Sequence, residues 1–106
     1  MKNILTTKIK NTEFRSPIIA ASGTFGYGDE ANNFVDLSEI GCIITKSITL
    51  DKREGNPSSR IHGANAGMMN SIGLANIGVQ DFCKKKISAL NSIDTNFIVS
   101  VAGSTF

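Results

Sequence analysis

Three short segments of the sequence combine small residues, hydroxyl groups and a single ammonium group. They are Ser22-Gly23-Thr24, Lys46-Ser47 and Gly103-Ser104-Thr105, and each follows a mostly apolar run. Glycine lets the backbone approach a ligand closely, while hydroxyls and exposed amides make short hydrogen bonds. This chemistry suits a phosphorylated or planar cofactor. Tight turns after strands have the same composition, so both interpretations stay open on these residues alone.

Lys46 has the clearest chemical meaning of these residues. It follows Cys42-Ile43-Ile44-Thr45, an apolar run that predicts a buried strand. An ammonium group at the end of a buried strand is costly to desolvate unless it has a task such as binding an anion. The alternative is a lysine that reaches solvent just beyond the strand.

Two more polar residues lie in the long irregular segment between residues 47 and 76. Asn70 offers a donor and an acceptor that match the edge of a cyclic imide, although an Asn in a Gly-rich loop is also typical of an Asx turn. His62 has no acidic partner nearby in sequence, so we do not expect it to act as a general base. Neither GxGxxG nor GK[ST] occurs. The residue pattern alone indicates an anion- or cofactor-binding α/β module.

The elements that would position these residues alternate between strand and helix. Asn3–Ile9 and Asn11–Phe14 predict an antiparallel hairpin that turns near Lys10-Asn11. Continuous apolar runs predict strands buried on both faces, and these are Ser16–Ala21, Cys42–Lys46 and Asn96–Val101. Helical spacing returns after Gly78. The alternation indicates a parallel α/β sheet, and ligands bind at the carboxyl ends of such strands.

Helix signals and cysteines give further expectations. Asp29 is a candidate cap for a short helix, and Asp36 or Ser38 for a second. In the helix after Gly78 the spacing predicts one buried face, formed by Val79, Phe82, Cys83, Ile87 and Leu90, and a solvated face formed by Lys84, Lys85 and Lys86. Cys42 and Cys83 lack metal-ligand or disulfide spacing and are expected to be buried, unpaired thiols.

Composition narrows the class of protein. The 106 residues carry a net charge of +2, which is too small to argue for nucleic-acid binding. The apolar runs are too short to cross a bilayer, and polar residues interrupt the N-terminus where a signal peptide needs an apolar core. We therefore expect a cytoplasmic, non-membrane protein without a metal site.

Four segments of the chain resemble dihydroorotate dehydrogenases, in order and at matching spacing. They are Pro17–Gly28, Thr45–Leu50 with Arg53–Arg60, Gly67–Asn76, and Val101–Thr105. The amino-acid sequences of residues 22–28 and 68–74 are most similar to those of class 1 enzymes, and within class 1 to those of the NAD-linked B-type catalytic subunit. The resemblance implies an N-terminal fragment, residues 1–106, of one FMN-binding TIM (β/α)8 barrel, with an N-terminal β-hairpin and about three parallel strands.

The resemblance also implies a function. The family oxidises dihydroorotate to orotate through FMN in pyrimidine synthesis. The B-type members pass electrons to NAD through a partner subunit that carries FAD and a 2Fe-2S cluster. By matching position, the residues that would contact FMN are Ser22, Gly23, Lys46, Ser47 and Ser100. Those that would contact dihydroorotate or orotate are Lys46, Asn70, Ser71, Ile72, Gly73 and Leu74.

Two departures from the family pattern matter. The family usually has Asn where this chain has Ser100, so an amide contact to FMN would become a shorter hydroxyl contact. The second departure is length, because a (β/α)8 barrel needs about 250 residues. The family's catalytic cysteine, on a later loop, has no counterpart among these residues, so we expect the 106-residue chain alone to be inactive.

Other functions remain open at this point. One is a non-catalytic, partly folded barrel remnant. The others are a fumarate-linked A-type dihydroorotate dehydrogenase and a dihydropyrimidine-oxidising relative on the same barrel.

Overall fold

The computed structural model describes residues 4–105. Asn3 and Phe106, which were predicted to lie in the first hairpin and after the last strand, fall outside the described residues. The elements, in chain order, are β1 (Thr7–Ile9), β2 (Thr12–Phe14), β3 (Ile19–Ala20), two 3-10 turns (Asp29–Asn33 and Leu37–Glu39), β4 (Cys42–Ile44), β5 (Ile61–Ala64), β6 (Gly67–Asn70), α1 (Val79–Lys85), α2 (Ile87–Asn91) and β7 (Asn96–Ile98).

The centre of the fold is a parallel sheet with strand order β3-β4-β7. Its register pairs Ile19 with Cys42 and Ile43 with Phe97. The chain passes from each strand to the next through helical segments, as a parallel arrangement requires. The predicted parallel α/β architecture is therefore confirmed. Strands β1 and β2 form a separate antiparallel pair, in which Lys8 faces Glu13 across the turn at Lys10-Asn11.

The prediction that all three parallel strands are buried on both faces is wrong for the outer two. Cys42 and Ile43 in the middle strand are fully buried, whereas Ile19 in β3 is 41% and Ile98 in β7 is 44% exposed. The outer strands are more exposed because β3 and β7 form the two edges of the described sheet, where each has only one neighbouring strand. The strands are also shorter than predicted, and Ser16, Lys46 and Val101 lie beyond their ends.

The main apolar core lies between the sheet and the helices. It contains the buried residues Tyr27, Ile48, Phe82 and Leu90, with Ile77 and Phe97 packed against them. The rings of Tyr27 and Phe82 lie with their centroids 5.8 Å apart. This core joins the loop after β3, the segment after β4 and both α-helices.

The predicted single helix after Gly78 is interrupted at Lys86, where α1 ends and α2 begins. Phe82 and Leu90 are buried as predicted, but Cys83 is exposed, and Val79 and Ile87 are partly exposed. Lys86 was assigned to the solvated face and is instead largely buried, with its side chain only 19% exposed. The cause is a pair of carboxylates from the first 3-10 turn, which draws this lysine inward.

The irregular segment contains a hairpin that the sequence did not predict. β5 and β6 pair antiparallel, with Ile61 opposite Asn70 and Ala64 opposite Gly67. All eight of its residues are exposed. A hairpin without a buried face needs no alternation of apolar and polar residues, so the signal that normally identifies strands is missing.

Three smaller expectations can also be compared with the structure. Asp36 does cap the second 3-10 turn, because its side chain accepts a hydrogen bond from the Ser38 N–H. Asp29 does not cap the first, whose capping position is Gly28. Cys42 is a buried thiol as predicted, and burial raises its pKa. None of the helices described within residues 4–105 is long and apolar enough to cross a membrane.

Candidate functional site

The glycine-rich loop after β3 lies against the end of β4. The backbone N–H and hydroxyl of Thr24 both donate to the Ala21 carbonyl, at 3.2 and 2.6 Å, which closes a tight turn. Gly23 has φ +88° within this turn, and no atom lies within 4 Å of the place where a Cβ would be. The Lys46 N–H donates to the Gly26 carbonyl at 2.8 Å. Ser22 and Gly23 are exposed, so this turn presents open backbone to solvent.

Lys46 is partly buried at this junction. Its backbone is fixed by the hydrogen bond to the glycine loop. Its ammonium group has no hydrogen bond or ion pair to any residue in the range 4–105. A half-buried cation without an internal counter-ion is available to bind an anion.

Ser47 and Ser100 come together although 53 residues separate them. Their hydroxyl oxygens are 2.8 Å apart, and either one could donate the proton. The Ser100 N–H donates to the Thr45 hydroxyl at 3.2 Å, and the Ile48 N–H donates to the Ser100 carbonyl at 2.9 Å. The segments beyond β4 and β7 therefore stay paired, and they carry two predicted cofactor residues side by side.

The loop after β6 carries the predicted substrate residues. Asn70 is the exposed last residue of β6. Gly73 and Leu74 both have positive φ, +77° and +56°, and only the glycine adopts this conformation readily. The N–H groups of Ile72, Gly73 and Leu74 donate to no acceptor within residues 4–105. Three successive free N–H groups form a place that an anion can occupy.

A buried amide that the sequence did not single out anchors this loop. The Asn76 side chain accepts from the N–H groups of Thr49 and Gly78, at 3.1 and 2.9 Å, and donates to the Leu74 carbonyl at 2.7 Å. Only 5% of Asn76 is exposed. Its backbone also pairs with Arg53 in both directions, at 2.9 Å. The one sequence signal for this role is the position of Asn76, two residues before Gly78, after which the helix begins.

A pocket of ≈ 410 Å³ lies beyond the carboxyl ends of β4 and β7. Leu74 lines it together with Ala102-Gly103-Ser104-Thr105, Thr49-Leu50-Asp51 and Arg53. The pocket therefore unites the third predicted segment with the end of the substrate loop. The other predicted site residues do not line it, namely Ser22, Gly23, Lys46, Ser47, Asn70, Ser71, Ile72, Gly73 and Ser100.

An ion-pair cluster holds the far end of the glycine loop. The Lys86 ammonium contacts Asp29 at 2.8 Å and Glu30 at 2.9 Å, and lies 5.3 Å from the centre of the Tyr27 ring. Glu30 also accepts from the Tyr27 N–H at 3.0 Å. The Tyr27 hydroxyl accepts from the Ile77 N–H at 3.0 Å. Tyr27, which no local sequence signal indicated, thus links the glycine loop to Ile77, two residues before α1 begins.

The cluster shifts the pKa values of Glu30 and Lys86. Burial raises the pKa of Glu30, but hydrogen bonds from Lys86 and from the backbone outweigh it and lower the pKa from 4.5 to about 2. Burial lowers the pKa of Lys86, and the hydrogen bonds to Asp29 and Glu30 outweigh that effect and raise it. Glu30 and Lys86 therefore stay charged near neutral pH.

His62 is exposed on β5, opposite Met69, and contacts no carboxylate among residues 4–105. Within the same range no three His, Cys, Asp or Glu side chains are grouped as a metal site would require.

Comparison with known proteins decides the family. The family model described as dihydroorotate dehydrogenase matches residues 4–106. The chain belongs to the dihydroorotate dehydrogenase family. This agrees with the four motif resemblances seen in the sequence.

Relatives in this family refine the match. Three named "Dihydroorotate dehydrogenase B (NAD(+)), catalytic subunit" come from Thermodesulfovibrio yellowstonii, Trichlorobacter lovleyi and Bacteroides thetaiotaomicron. They are 47%, 43% and 45% identical over 94%, 99% and 94% of this chain. The chain spans only about a third of each, 33%, 34% and 33%.

A solved structure supports the fold. The dihydroorotate dehydrogenase of Eimeria tenella, in complex with ferulenol, is similar with a TM-score of 0.62 and 20% identity. The similarity covers 92% of this chain and 27% of that one.

Proposed function

We propose that this chain forms part of an FMN-dependent enzyme that oxidises dihydroorotate to orotate in pyrimidine biosynthesis. The observation that carries the proposal is the loop of Ile72, Gly73 and Leu74, whose three N–H groups have no acceptor among residues 4–105. Dihydroorotate and orotate both carry a carboxylate, which accepts hydrogen bonds from such groups. Family membership and the names of the B-type relatives support the same reaction.

The residues that would hold FMN fit a planar, anionic group. Gly23 leaves its backbone open, Lys46 supplies a cation without an internal partner, and Ser47 and Ser100 supply adjacent hydroxyls. Ser22 belongs to the same open turn. FMN held by these residues would supply the hydride acceptor for the oxidation. The resemblance to the family is the basis for proposing FMN, and the residues present fit it.

The other proposed roles in binding and orienting the ligands belong to side chains and backbone groups of this chain. Lys46 stabilises negative charge on the cofactor or the substrate. Asn70 pairs with the polar edge of the pyrimidine, through one donor and one acceptor. Ser71, Ile72, Gly73 and Leu74 hold the carboxylate and so orient the ring. No residue in the range 4–105 is proposed as the general base, so we expect the isolated chain to reduce no dye with dihydroorotate.

We also propose the family fold and an electron path. We infer that these strands are the first three of a (β/α)8 barrel. Electrons would pass to NAD through a partner subunit, and the words "NAD(+)" and "catalytic subunit" in the names of the B-type relatives support this. That the partner carries FAD and a 2Fe-2S cluster is proposed from the resemblance to B-type enzymes alone.

The test is ligand binding by the 106-residue chain and by Lys46→Met, with Lys84→Met as a matched control. We expect the wild type and the control to bind FMN equally. Lys46→Met should bind it about 10-fold more weakly, since one charge-assisted hydrogen bond is lost. Fluorescence quenching of added FMN measures this. Equal binding by all three proteins would refute the role of Lys46, and dye reduction by the isolated chain would refute its expected inactivity.

A further inference from the structure

We propose that Asn56 is a positioning residue that turns the Ser71 hydroxyl into a donor for the ligand carboxylate and so makes the loop selective for carboxylated pyrimidines. This inference rests on the proposed function, because it concerns the same substrate loop.

The orientation of the Asn56 amide is fixed by its partner. Its Nδ2 lies 3.1 Å from the Ser71 carbonyl oxygen and 2.7 Å from the Ser71 hydroxyl oxygen. A carbonyl oxygen can only accept, so the nitrogen, and not the oxygen, of the amide must face Ser71.

This contact determines what the Ser71 hydroxyl can do. The hydroxyl oxygen accepts from Asn56, and its own proton then needs an acceptor elsewhere. No residue in the range 4–105 accepts it. The Ser71 hydroxyl is therefore a fourth donor without an acceptor among these residues, in addition to the N–H groups of the next three residues, Ile72, Gly73 and Leu74. A set of four donors without an acceptor favours an anion over a neutral group.

Asn56 is held on its other sides as well. Its N–H donates to the Ile72 carbonyl at 3.0 Å, and Arg60 donates to its carbonyl at 2.6 Å. The Ser71 N–H in turn donates to the Arg60 carbonyl at 2.7 Å. Gly73 packs so closely that a Cβ there would lie 2.7 Å from the Asn56 nitrogen. The amide is thus supported by the loop that it orients.

The experiment compares orotate with uracil, which lacks the carboxylate, as ligands of the 106-residue chain. Wild type, Asn56→Ala, Asn56→Asp, Ser71→Ala and the Asn56→Ala/Ser71→Ala double variant are titrated by amide NMR. Loss of one hydrogen bond to a charged group should weaken orotate binding about 10-fold in Asn56→Ala and in Ser71→Ala. The double variant should bind no more weakly than Ser71→Ala, because without the Ser71 hydroxyl there is no group for Asn56 to orient.

Asn56→Asp gives the sharpest result. Its new carboxylate accepts the Ser71 proton and repels the ligand, so orotate binding should fall about 30-fold or more. Uracil binding should stay within about twofold of wild type in every variant. If Asn56 has a purely structural role, its substitution should weaken the binding of orotate and of uracil equally, and that outcome overturns the proposal.

A second measurement needs no ligand. The Asn56 side-chain amide signal should shift in Ser71→Ala, and an unchanged signal would disprove the contact itself. If wild type binds neither orotate nor uracil, the proposed function fails and this inference with it. If wild type prefers orotate and Asn56→Asp keeps that preference, the inference alone fails.

Discussion

At the scale of single residues, Lys86 is the centre of an ion-pair cluster. It joins two carboxylates and the Tyr27 ring, and side-chain exposure is 19% for Lys86 and 25% for Asp29. Lys86→Met would leave both carboxylates without their cation. We expect it to lower the free energy of unfolding by about 1–2 kcal/mol, less than for a fully buried pair because solvent screens the charges. Urea denaturation measures the change.

The control for this prediction is the neighbouring lysine. Lys84 is exposed and has no hydrogen bond or ion pair within residues 4–105. Lys84→Met should change the stability by less than about 0.5 kcal/mol. Equal effects of the two substitutions would show that the cluster does not stabilise the fold.

Glu30 gives a prediction for acidic pH. Its pKa falls from 4.5 to about 2 in the folded chain. The unfolded chain therefore takes up this proton at a higher pH than the folded chain does. The stabilising contribution is complete above pH 4.5 and is lost as the pH falls toward 2. The urea midpoint should decrease over this interval, and Glu30→Gln should make the decrease shallower. An identical pH profile for the variant would contradict the assignment.

At the scale of elements, Asn76 connects the segments that follow β4 and β6 with the residue that precedes α1. Its side chain satisfies N–H groups of Thr49 and Gly78 and the carbonyl of Leu74. Asn76→Ala would leave these buried groups without partners, at a cost of about 2–4 kcal/mol. The melting temperature measures this, and Asn91→Ala, at an exposed helix end, is the matched control. A melting temperature equal to that of the control would show that the network is not needed.

Local sequence signals predicted those elements that have one buried face. Cys42-Ile43-Ile44 reads as a buried strand and is the central strand of the sheet. Phe82 and Leu90 have helical spacing and are buried together. The hairpin of β5 and β6 lacks a buried face and therefore left no pattern. Lys86 was assigned to the wrong environment because its partners are carboxylates 56 and 57 residues earlier in the chain. Cys83 was assigned to the buried face because it lies next to Phe82 in the helical pattern, but of these two residues only Phe82 faces the core.

The candidate site was predictable to a similar degree. The segments that carry Lys46, Ser47 and Ser100 could be found by composition and resemblance, and the structure brings two of these residues within hydrogen-bond distance. The roles of Asn56 and Asn76 could not be found in this way. Both act through contacts with residues 15 to 27 positions away, and such contacts depend on the whole arrangement of loops.

At the scale of the whole molecule, the described chain is open. Its radius of gyration is 15.7 Å, whereas a compact chain of this length has about 13 Å. Apolar side chains remain exposed on both outer strands of the sheet and beyond them, including Ile18, Ile19, Ile98, Val99 and Val101. Exposed strand edges with apolar side chains favour association with other chains.

This openness predicts self-association of the isolated chain. Val101→Lys places a charge beyond β7 and should reduce the average mass in sedimentation equilibrium at high concentration, since a charge at a sheet edge opposes pairing. Phe34→Lys is the control, because Phe34 is 88% exposed but lies after the first 3-10 turn, outside the sheet. If association weakens equally in both variants, nonspecific contacts between exposed apolar side chains drive it, and not pairing at the sheet edge.

The burial of Tyr27 has a spectroscopic consequence. The sequence has one tyrosine and no tryptophan, so emission excited at wavelengths longer than the phenylalanine band comes from the Tyr27 ring, which lies beside Phe82 and the Lys86 ammonium. The chain therefore carries a single tyrosine fluorophore at the junction of the glycine loop, the ion-pair cluster and the first helix. Any change that loosens this junction can therefore be followed by tyrosine fluorescence, without an added label.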